Sequence, residues 1–309
     1  MRVIFMGTPN FAVPSLEALL QHHEVVLVVT QPDKPKGRGK KMAFSPIKEC
    51  ALQHNIPVLQ PAKVREPEFV EKLREYQPDL IAVTAFGQIL TEDILSIPKY
   101  GCINVHGSLL PKYRGAAPMQ WAIIDGETVT GITTMYMAKG LDSGDMLLKE
   151  EVEITPEDTF ATVHDKMAVV GANLLVETLQ KLENGTLQRE EQNHDAATYA
   201  PMLTKETGHI DWSKTAKEII NLIRGLNPAP AAYAIYENEV LKIFKAEQTD
   251  IITESQKCGE IVAVVKKGFV VKCGDGCLLV TEVQARGGKR MNADAYLRGH
   301  SMELGILLQ

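Results

Sequence analysis

The sequence predicts an α/β protein in which a doubly wound, mostly parallel sheet is followed by a smaller OB-like β-barrel. Over residues 1–185, continuous apolar runs alternate with helical patterns, which is typical of a parallel sheet covered on both faces. Over residues 209–309, a helical pattern precedes short strand-like runs at regular spacing, which indicates a small barrel. The polar, weakly periodic residues 186–208 between them are expected to form a linker.

The predicted first domain is a series of strands and helices in alternation. Ser45 and Pro46 mark the start of one helix, because serine is a favoured N-cap and proline fits the first helical position. Gly185 ends the long helix that closes the domain. We expect strands over 3–6, 25–30, 58–59, 80–85, 103–105, 129–137 and 146–154, and helices over 11–22, 45–55, 68–76 and 159–182.

The predicted second domain begins with a helix and continues with strands separated by glycine or asparagine turns. Cys273 and Cys277 flank Gly-Asp-Gly, which we interpret as a turn between two strands. No second Cys or His pair is present to complete a zinc site there. The expected helix covers 215–226, and the expected strands cover 232–236, 240–246, 260–265, 269–273 and 278–284.

The composition is that of an ordinary globular chain, with 309 residues, 45% hydrophobic and 23% charged. A net charge of −6 gives no overall nucleic-acid signature, so any basic surface must be local. From residue 206 onward the chain carries 13 basic and 13 acidic side chains. All of the negative excess therefore precedes that point, and the neutral second domain can more easily present a basic face to a polyanion.

The cellular setting follows from what the sequence contains. The first residues run directly into a strand pattern, so we expect no signal peptide. No apolar run approaches the roughly 20 residues of a membrane helix. Five scattered cysteines fit a reducing cytosol better than a disulfide framework. We expect a cytoplasmic protein, and nothing in the sequence demands more than a monomer.

Three polar residues form the candidate catalytic group. Asn104 and His106 are two apart at the end of a predicted strand, which puts both side chains on one face at the edge where doubly wound sheets bind ligands. Asp142 lies in a glycine-flanked turn between two later strands. A strand-end His and Asn can equally be satisfied structural groups, and an Asp between glycines can be a simple turn residue.

Acyl transfer to an amine is the chemistry that these residue types suit. A carboxylate beside His106 would orient the imidazole and support its charge. An amide and a charged imidazole can stabilise the oxyanion of a tetrahedral intermediate, and the imidazole–carboxylate pair can relay a proton. No enzyme nucleophile is needed, because the amine attacks. We expect no metal, since this reaction needs none and no ligand cluster is visible.

Two motifs carry a family resemblance. Residues 104–118 read Asn-Val-His-Gly-Ser-Leu-Leu-Pro-Lys-Tyr-Arg-Gly-Ala-Ala-Pro, and residues 140–145 read Gly-Leu-Asp-Ser-Gly-Asp. Both resemble the signatures of the 10-formyltetrahydrofolate-dependent formyltransferases. The resemblance covers the full chain and is closest to the branch that acts on initiator methionyl-tRNA. The segments that point to this branch are residues 5–12, the basic segment 34–41, and residues 210–212 and 224–228.

The resemblance implies a role for each motif. Asn104 and His106 would bind and polarise the formyl oxygen of 10-formyltetrahydrofolate, and Asp142 would support His106 and help proton transfer. The sheet would be a formyltransferase-like, Rossmann-type domain. The resemblance also implies a folate site, although its apolar members could equally be ordinary core residues. That site would be lined by Phe86, Gly87, Gln88, Ile89, Leu90, Ser108, Leu109, Leu110, Pro111, Lys139, Gly140 and Leu141.

The basic segment 34–41 is the candidate tRNA contact. It holds five cations with two glycines and a proline, and most such runs are simply solvated loops. The resemblance implies that Arg38 contacts tRNA near the active site, since arginine can make planar bidentate contacts. Lys40 and Lys41 are the expected phosphate contacts. Lysines and arginines of the barrel could add a basic strip, or could be scattered solubilising charges.

Other functions account for fewer of these features. A formyltransferase acting on another amine, such as a sugar nucleotide, would share both motifs. The ribonucleotide-formylating enzyme of purine synthesis is a single domain, so the second domain argues against it. A nicotinamide oxidoreductase should carry the G-x-G-x-x-G fingerprint, which is absent after the first strand. A non-catalytic RNA-binding protein would explain the basic segment and barrel but not Asn104, His106 and Asp142.

Overall fold

The computed structural model describes residues 1–36, 41–254 and 257–309. The chain forms two compact units, each assembled from more than one stretch of sequence. The first unit comprises Met1–Pro118, Val129–Glu153 and His164–Ala200, and the second comprises Met119–Thr128, Ile154–Val163 and Pro201–Gln309. The predicted domain limits at 185 and 209 stay predictions. No helix in the described part of the chain is both long and apolar enough to cross a membrane.

The first eleven strands, in chain order, lie in the first unit. Seven of them form one sheet in the order β10-β9-β7-β6-β1-β2-β5. The pairs from β7 to β5 are parallel, whereas the pairs β7–β9 and β9–β10 are antiparallel. The mostly parallel sheet is thereby confirmed. The strands are β1 (Arg2–Gly7), β2 (Glu24–Val29), β3 (Lys34–Lys36), β4 (Lys41–Ala43), β5 (Val58–Leu59), β6 (Leu80–Thr84), β7 (Cys102–His106), β8 (Arg114–Gly115), β9 (Val129–Tyr136), β10 (Met146–Glu153) and β11 (Tyr199–Ala200).

Six α-helices lie before residue 185 in the part of the chain that the structure describes. Ser45 is an N-cap as predicted, because its Oγ accepts a hydrogen bond of 3.1 Å from the backbone N–H of Lys48. Two helices were not predicted, because four and seven residues are too few to show a helical period; these are α4 and α5. The six are α1 (Val13–His22), α2 (Pro46–Gln53), α3 (Pro67–Glu75), α4 (Glu92–Leu95), α5 (Pro118–Ile124) and α6 (Phe160–Glu183).

Alternation along β7 decides which side chains reach each face of the sheet. Cys102 belongs to a buried cluster with Ile4, Met6 and other core residues on one face. Val105 points to the opposite face, where a Cβ added at Gly171 of α6 would come within 2.9 Å of its Cγ1. Since side chains alternate along a strand, Asn104 and His106 share the face of Cys102.

The segment after α6 is part of the first unit. Glu190 exchanges backbone hydrogen bonds of 2.8 and 2.9 Å with Met146 at the edge of β10. Further along, β11 pairs in parallel with β8. The expected linker is therefore held by backbone hydrogen bonds at two points, at Glu190 beside β10 and at Tyr199–Ala200 in a separate two-stranded sheet with β8.

The second unit contains an antiparallel sheet that follows α7 (Ala216–Gly225). Thr215 and Glu218 form a capping box at the start of α7. The strand order is β12-β13-β16-β15-β14, with β17 beside β16. Cys273 ends β15 and Gly276 begins β16, so the predicted turn is confirmed. The remaining elements are β12 (Ala232–Tyr236), β13 (Glu239–Thr249), β14 (Ile261–Val265), β15 (Gly268–Cys273), β16 (Gly276–Ala285), β17 (Met291–Asn292) and α8 (Ala293–Leu297).

Residues 305–309 connect the two outer strands of this sheet, and we call them the closing segment. Gln309 exchanges two backbone hydrogen bonds with Ile235 of β12, at 2.6 and 3.0 Å. On the other side, Ile261 of β14 donates to Ile306 and accepts from Gly305, both at 2.9 Å. The sheet is thereby closed on itself, as in a barrel, because each outer strand finds its missing partner.

Deleting residues 305–309 is expected to open the barrel. The amides and carbonyls of Ile235 and Ile261 would lose their backbone partners, and Leu308, which is 2% exposed, would leave the core. Hydrogen exchange at β12 and β14 should accelerate, while exchange at β1 and β6 of the first unit should stay unchanged. Unchanged protection at β12 and β14 would show that the closing segment does not hold the barrel shut.

Candidate active site

The end of β7 places two polar side chains at the carboxyl edge of the parallel sheet. Asn104 is half-buried, and within the described residues its side-chain amide makes no hydrogen bond. His106 is the last residue of the strand and is 5% exposed. A buried polar ring beside an amide with free hydrogen-bonding capacity is an arrangement suited to binding a polar substrate group.

The imidazole of His106 is held on both of its nitrogens. Nε2 lies 3.0 Å from the backbone oxygen of Tyr113. Because a carbonyl oxygen only accepts, Nε2 is the protonated nitrogen of the neutral ring. Nδ1 lies 3.7 Å from Oδ2 of Asp142, which is within ion-pair range but longer than a hydrogen bond. A proton that arrives on Nδ1 would therefore face a carboxylate.

Asp142 is fixed by its own backbone and by a neighbouring amide. Its Oδ2 accepts a 2.8 Å hydrogen bond from the N–H of Gly115. Its φ of 44° lies in the left-handed region, which aspartate tolerates better than most residues. Gly144 is required by space, because a Cβ there would collide with the carbonyl oxygen of Tyr136. The turn predicted from its glycines thus brings Asp142 beside His106.

The loop after His106 is fastened to β9. Thr133 Oγ1 donates to the carbonyl of Ser108 at 2.7 Å and accepts from the N–H of Leu110 at 3.1 Å. Ser108 Oγ donates to the carbonyl of Lys112 at 2.6 Å. These hydrogen bonds fix the path of residues 107–113, including the Tyr113 carbonyl that binds His106.

The twelve residues predicted to bind folate divide by exposure. Phe86, Leu90, Ser108 and Leu110 are buried, and Gln88, Leu109 and Pro111 are half-buried. The exposed members of the set are Gly87, Ile89, Lys139, Gly140 and Leu141.

The half-buried and exposed members differ in what they contact. Gln88 accepts from the N–H of Val64 at 3.0 Å and donates to the carbonyl of Pro61 at 3.3 Å, so its side chain anchors its own loop. Among the apolar members, Ile89 is 81% exposed and Leu141 is 57% exposed. The Lys139 Nζ lies 3.6 Å from Glu92 Oε1 of α4, so an exposed ion pair joins the Asp142 loop to that helix.

The three predicted tRNA contacts are Arg38, Lys40 and Lys41. Arg38 and Lys40 fall outside the described residues. Lys41 begins β4, which pairs antiparallel with β3. At the base of the hairpin, Lys48 Nζ donates to Asp33 Oδ2 at 2.6 Å and to Gln60 Oε1 at 2.7 Å. The side-chain hydrogen bonds from Lys48 and Gln60 lower the pKa of Asp33.

Three groups at this site were missed by the sequence interpretation. The Tyr113 carbonyl and the Gly115 amide are backbone groups within the motif 104–118. Only the length of that motif indicated that residues beyond His106 belong to the site. Gln192 was assigned to a linker, yet it is 3% exposed and donates to the backbone of the Asp142 turn. A lone glutamine in a polar stretch gives no signal of burial.

Two models of known protein families match this chain. A family model described as formyl transferase matches residues 1–179, and one described as formyl transferase, C-terminal domain, matches residues 202–301.

The chain belongs to the formyltransferase family.

Two relatives match over the full length. Methionyl-tRNA formyltransferase of Acetivibrio thermocellus is 54% identical over 309 residues, covering 100% of this chain and 99% of the relative. The protein of the same name from Clostridioides difficile is 51% identical over 309 residues and covers 100% of both chains.

A solved structure shares the fold. The N-formyltransferase from Helicobacter canadensis, determined with folinic acid and dTDP-3-aminofucose, superimposes with a TM-score of 0.67. It is 21% identical and covers 92% of this chain and 99% of its own. At that identity the similarity shows that the two proteins share a fold, and it does not show that they share an acceptor.

Proposed function

We propose that this chain transfers the formyl group of 10-formyltetrahydrofolate to the α-amino group of methionine on initiator methionyl-tRNA, for translation initiation. The observation that carries the proposal is the placement of His106 between the Tyr113 carbonyl and the Asp142 carboxylate, next to the unbonded amide of Asn104. Full-length relatives named methionyl-tRNA formyltransferase, at 50–54% identity, support this choice of acceptor.

In the proposed reaction the uncharged amine attacks the formyl carbon, so the enzyme supplies no nucleophile. The carbonyl oxygen gains negative charge as the new C–N bond forms. The Asn104 amide can donate a hydrogen bond to that oxygen, and the His106 ring can stabilise the charge once Nδ1 carries a proton. The bond from the formyl carbon to the folate nitrogen then breaks, and that nitrogen takes up a proton.

His106 and Asp142 are suited to move that proton. The amine must lose a proton, and Nδ1 of His106 is the ring nitrogen left without one in the neutral form. Protonation there produces an imidazolium between the Tyr113 carbonyl and the Asp142 carboxylate. A proton on Nδ1 faces the Asp142 carboxylate, 3.7 Å away, until the leaving nitrogen accepts it.

The exposed members of the predicted folate set support a cleft beside this group. Ile89 and Leu141 present apolar side chains to solvent on two loops that the Lys139–Glu92 ion pair connects. An aromatic folate ring would cover such side chains favourably. The buried members, such as Phe86 and Leu110, would act by supporting the walls.

A sugar-nucleotide amine is the second candidate acceptor. The Helicobacter canadensis structure, solved with a dTDP-sugar amine, shares the fold over 92% of this chain. Its 21% identity contrasts with 54% for the Acetivibrio thermocellus relative. The basic segment 34–41, which contains Arg38, Lys40 and Lys41, favours a polyanionic acceptor.

The acceptor is tested by supplying 10-formyltetrahydrofolate with one of four amines. We expect rapid formylation of charged initiator tRNA and far slower formylation of charged elongator tRNA. Free methionine and a dTDP-amino sugar should react negligibly, because neither carries the tRNA contacts. Preferential formylation of the amino sugar would replace the proposed acceptor, and no formylation of any amine would refute the function.

Removing either oxyanion group is expected to lower turnover. His106→Ala and Asn104→Ala should each reduce kcat by about 100-fold or more, in the range of oxyanion donors. His54→Ala and Asn173→Ala, at exposed positions of the first unit, serve as matched controls and should keep wild-type rates. Near-normal kcat in His106→Ala or Asn104→Ala would rule out the proposed chemistry at this strand end.

Arg38→Ala should separate tRNA recognition from folate binding. We expect a strong loss of kcat/KM for charged initiator tRNA with an almost unchanged dissociation constant for the folate, because Arg38 is proposed to meet only the tRNA. The exposed Arg65→Ala is the charge-matched control. Equal losses in Arg38→Ala and Arg65→Ala would indicate a general charge effect, and no loss would remove Arg38 from the site.

A further inference from the structure

Gln192 occupies a buried position beneath the Asp142 turn. Its Nε2 donates to the carbonyl oxygens of Asp142 at 2.8 Å and Gly144 at 2.7 Å. Its Oε1 accepts from Arg114, from Nε at 3.0 Å and from Nη2 at 2.7 Å. A glutamine amide has two donor hydrogens and two acceptor lone pairs, so all of its hydrogen-bonding capacity is used.

Arg114 fixes which way the Gln192 amide points. Its guanidinium is buried, at 4% exposed, and can only donate. The fork from Nε and Nη2 therefore requires an oxygen, which directs the Gln192 NH₂ toward the turn. Nη2 also lies 3.0 Å from Nδ1 of His194, which accepts. Arg114, Gln192 and His194 thus form a connected set, which we call the clamp.

The same stretch of chain holds the other partner of Asp142. The N–H of Gly115, which binds the Asp142 carboxylate, belongs to β8. β8 is paired with β11, and Arg114 N donates to the carbonyl of Thr198 at 2.8 Å. A Cβ at Gly115 would come within 2.8 Å of the Ala200 oxygen, so this pairing is close. Residues 192–200 therefore fix both the Asp142 backbone and the amide that binds its side chain.

We propose that Gln192 is a positioning residue for formyl transfer, which holds the Asp142 turn so that its carboxylate faces Nδ1 of His106. The inference rests on the proposed function. Asp142 needs such support because its φ of 44° is a sparsely populated conformation that persists only where surrounding contacts hold it. The clamp acts through Asp142 and touches no reacting atom.

Two substitutions separate the two halves of the Gln192 amide. Gln192→Met removes donor and acceptor at nearly constant volume. Gln192→Glu keeps an acceptor for Arg114. It replaces the NH₂ donor with an oxygen that faces the carbonyls of Asp142 and Gly144, so only the hydrogen bonds to the turn are lost. Gln180→Met, at an exposed position of α6, is the matched control. All three are compared with the wild-type protein by thermal unfolding before kinetics.

The expected kinetic effect lies in kcat. Both Gln192 variants should lose about 10- to 100-fold in kcat, the cost of misplacing a catalytic group by around 1 Å. KM for the folate and for charged tRNA should stay near wild type. Gln192→Glu should show this loss of kcat even at temperatures where the variant is fully folded. A lowered melting temperature with unchanged kcat in both variants would overturn the inference and leave only a structural tie.

A double-mutant cycle shows whether the clamp works through Asp142. Asp142→Asn keeps an oxygen for the Gly115 amide but removes the charge. In that background Gln192→Met should cause little further loss of kcat, because the group it positions is already disabled. Losses that multiply would overturn the inference. Full activity in Asp142→Asn alone would instead refute the proposed role of Asp142, so the two failures are distinguishable.

Hydrogen exchange gives a readout that is independent of activity. Amides of residues 140–145 should exchange faster in both Gln192 variants than in wild type or Gln180→Met, because the carbonyls of Asp142 and Gly144 lose the donor that holds the turn. Amides of β1 and β6 should be unaffected if the sheet is intact. Unchanged exchange at residues 140–145 would overturn the inference even if kcat fell.

Discussion

Each nitrogen of the His106 ring has a defined partner. Several elements of the first unit are needed to bring these partners together. Nε2 meets the Tyr113 carbonyl at 3.0 Å, and Nδ1 faces Asp142 at 3.7 Å. The three residues come from a strand end, the loop after it and a turn 36 positions later in the sequence. The parallel sheet supplies the strand end, Thr133 fastens the loop, and the β9–β10 pair carries the turn. The fold thus assembles a charge-stabilising group from segments that could not hold each other alone.

Much of this could be predicted from local patterns. Buried strands appear as continuous apolar runs, so β1, β2, β6 and β7 were found to within two residues at each end. The spacing of Asn104 and His106 on β7 fixed their common face, because the side-chain period of a strand is two. The turn at Asp142 was marked by its glycines, and Gly144 proves to be required by space. Which carboxylate meets His106 came from the family resemblance, since spacing alone left a structural role open.

Other features leave no local trace. The short helices α4 and α5 are held by tertiary contacts, and four or seven residues cannot display a period. Residues 186–200 read as a polar connection, because their order comes from backbone pairing with β8 and β10 and from one buried glutamine. The closing segment of the barrel is similar, since its partners Ile235 and Ile261 are distant in sequence. Burial of a polar side chain such as Gln192 depends on hydrogen-bond partners that are distant in sequence, so the neighbouring residues do not indicate it.

The proposed chemistry depends most directly on which nitrogen of His106 carries the proton. Nitrogen-15 NMR of the ring, assigned by comparison with His106→Ala, measures it directly in the free protein. In the neutral form we predict a proton on Nε2 and none on Nδ1, because the Tyr113 carbonyl can only accept. A neutral ring protonated mainly on Nδ1 would contradict this prediction, since Nδ1 could then not receive a proton from the amine and Nε2 could not donate to the Tyr113 carbonyl.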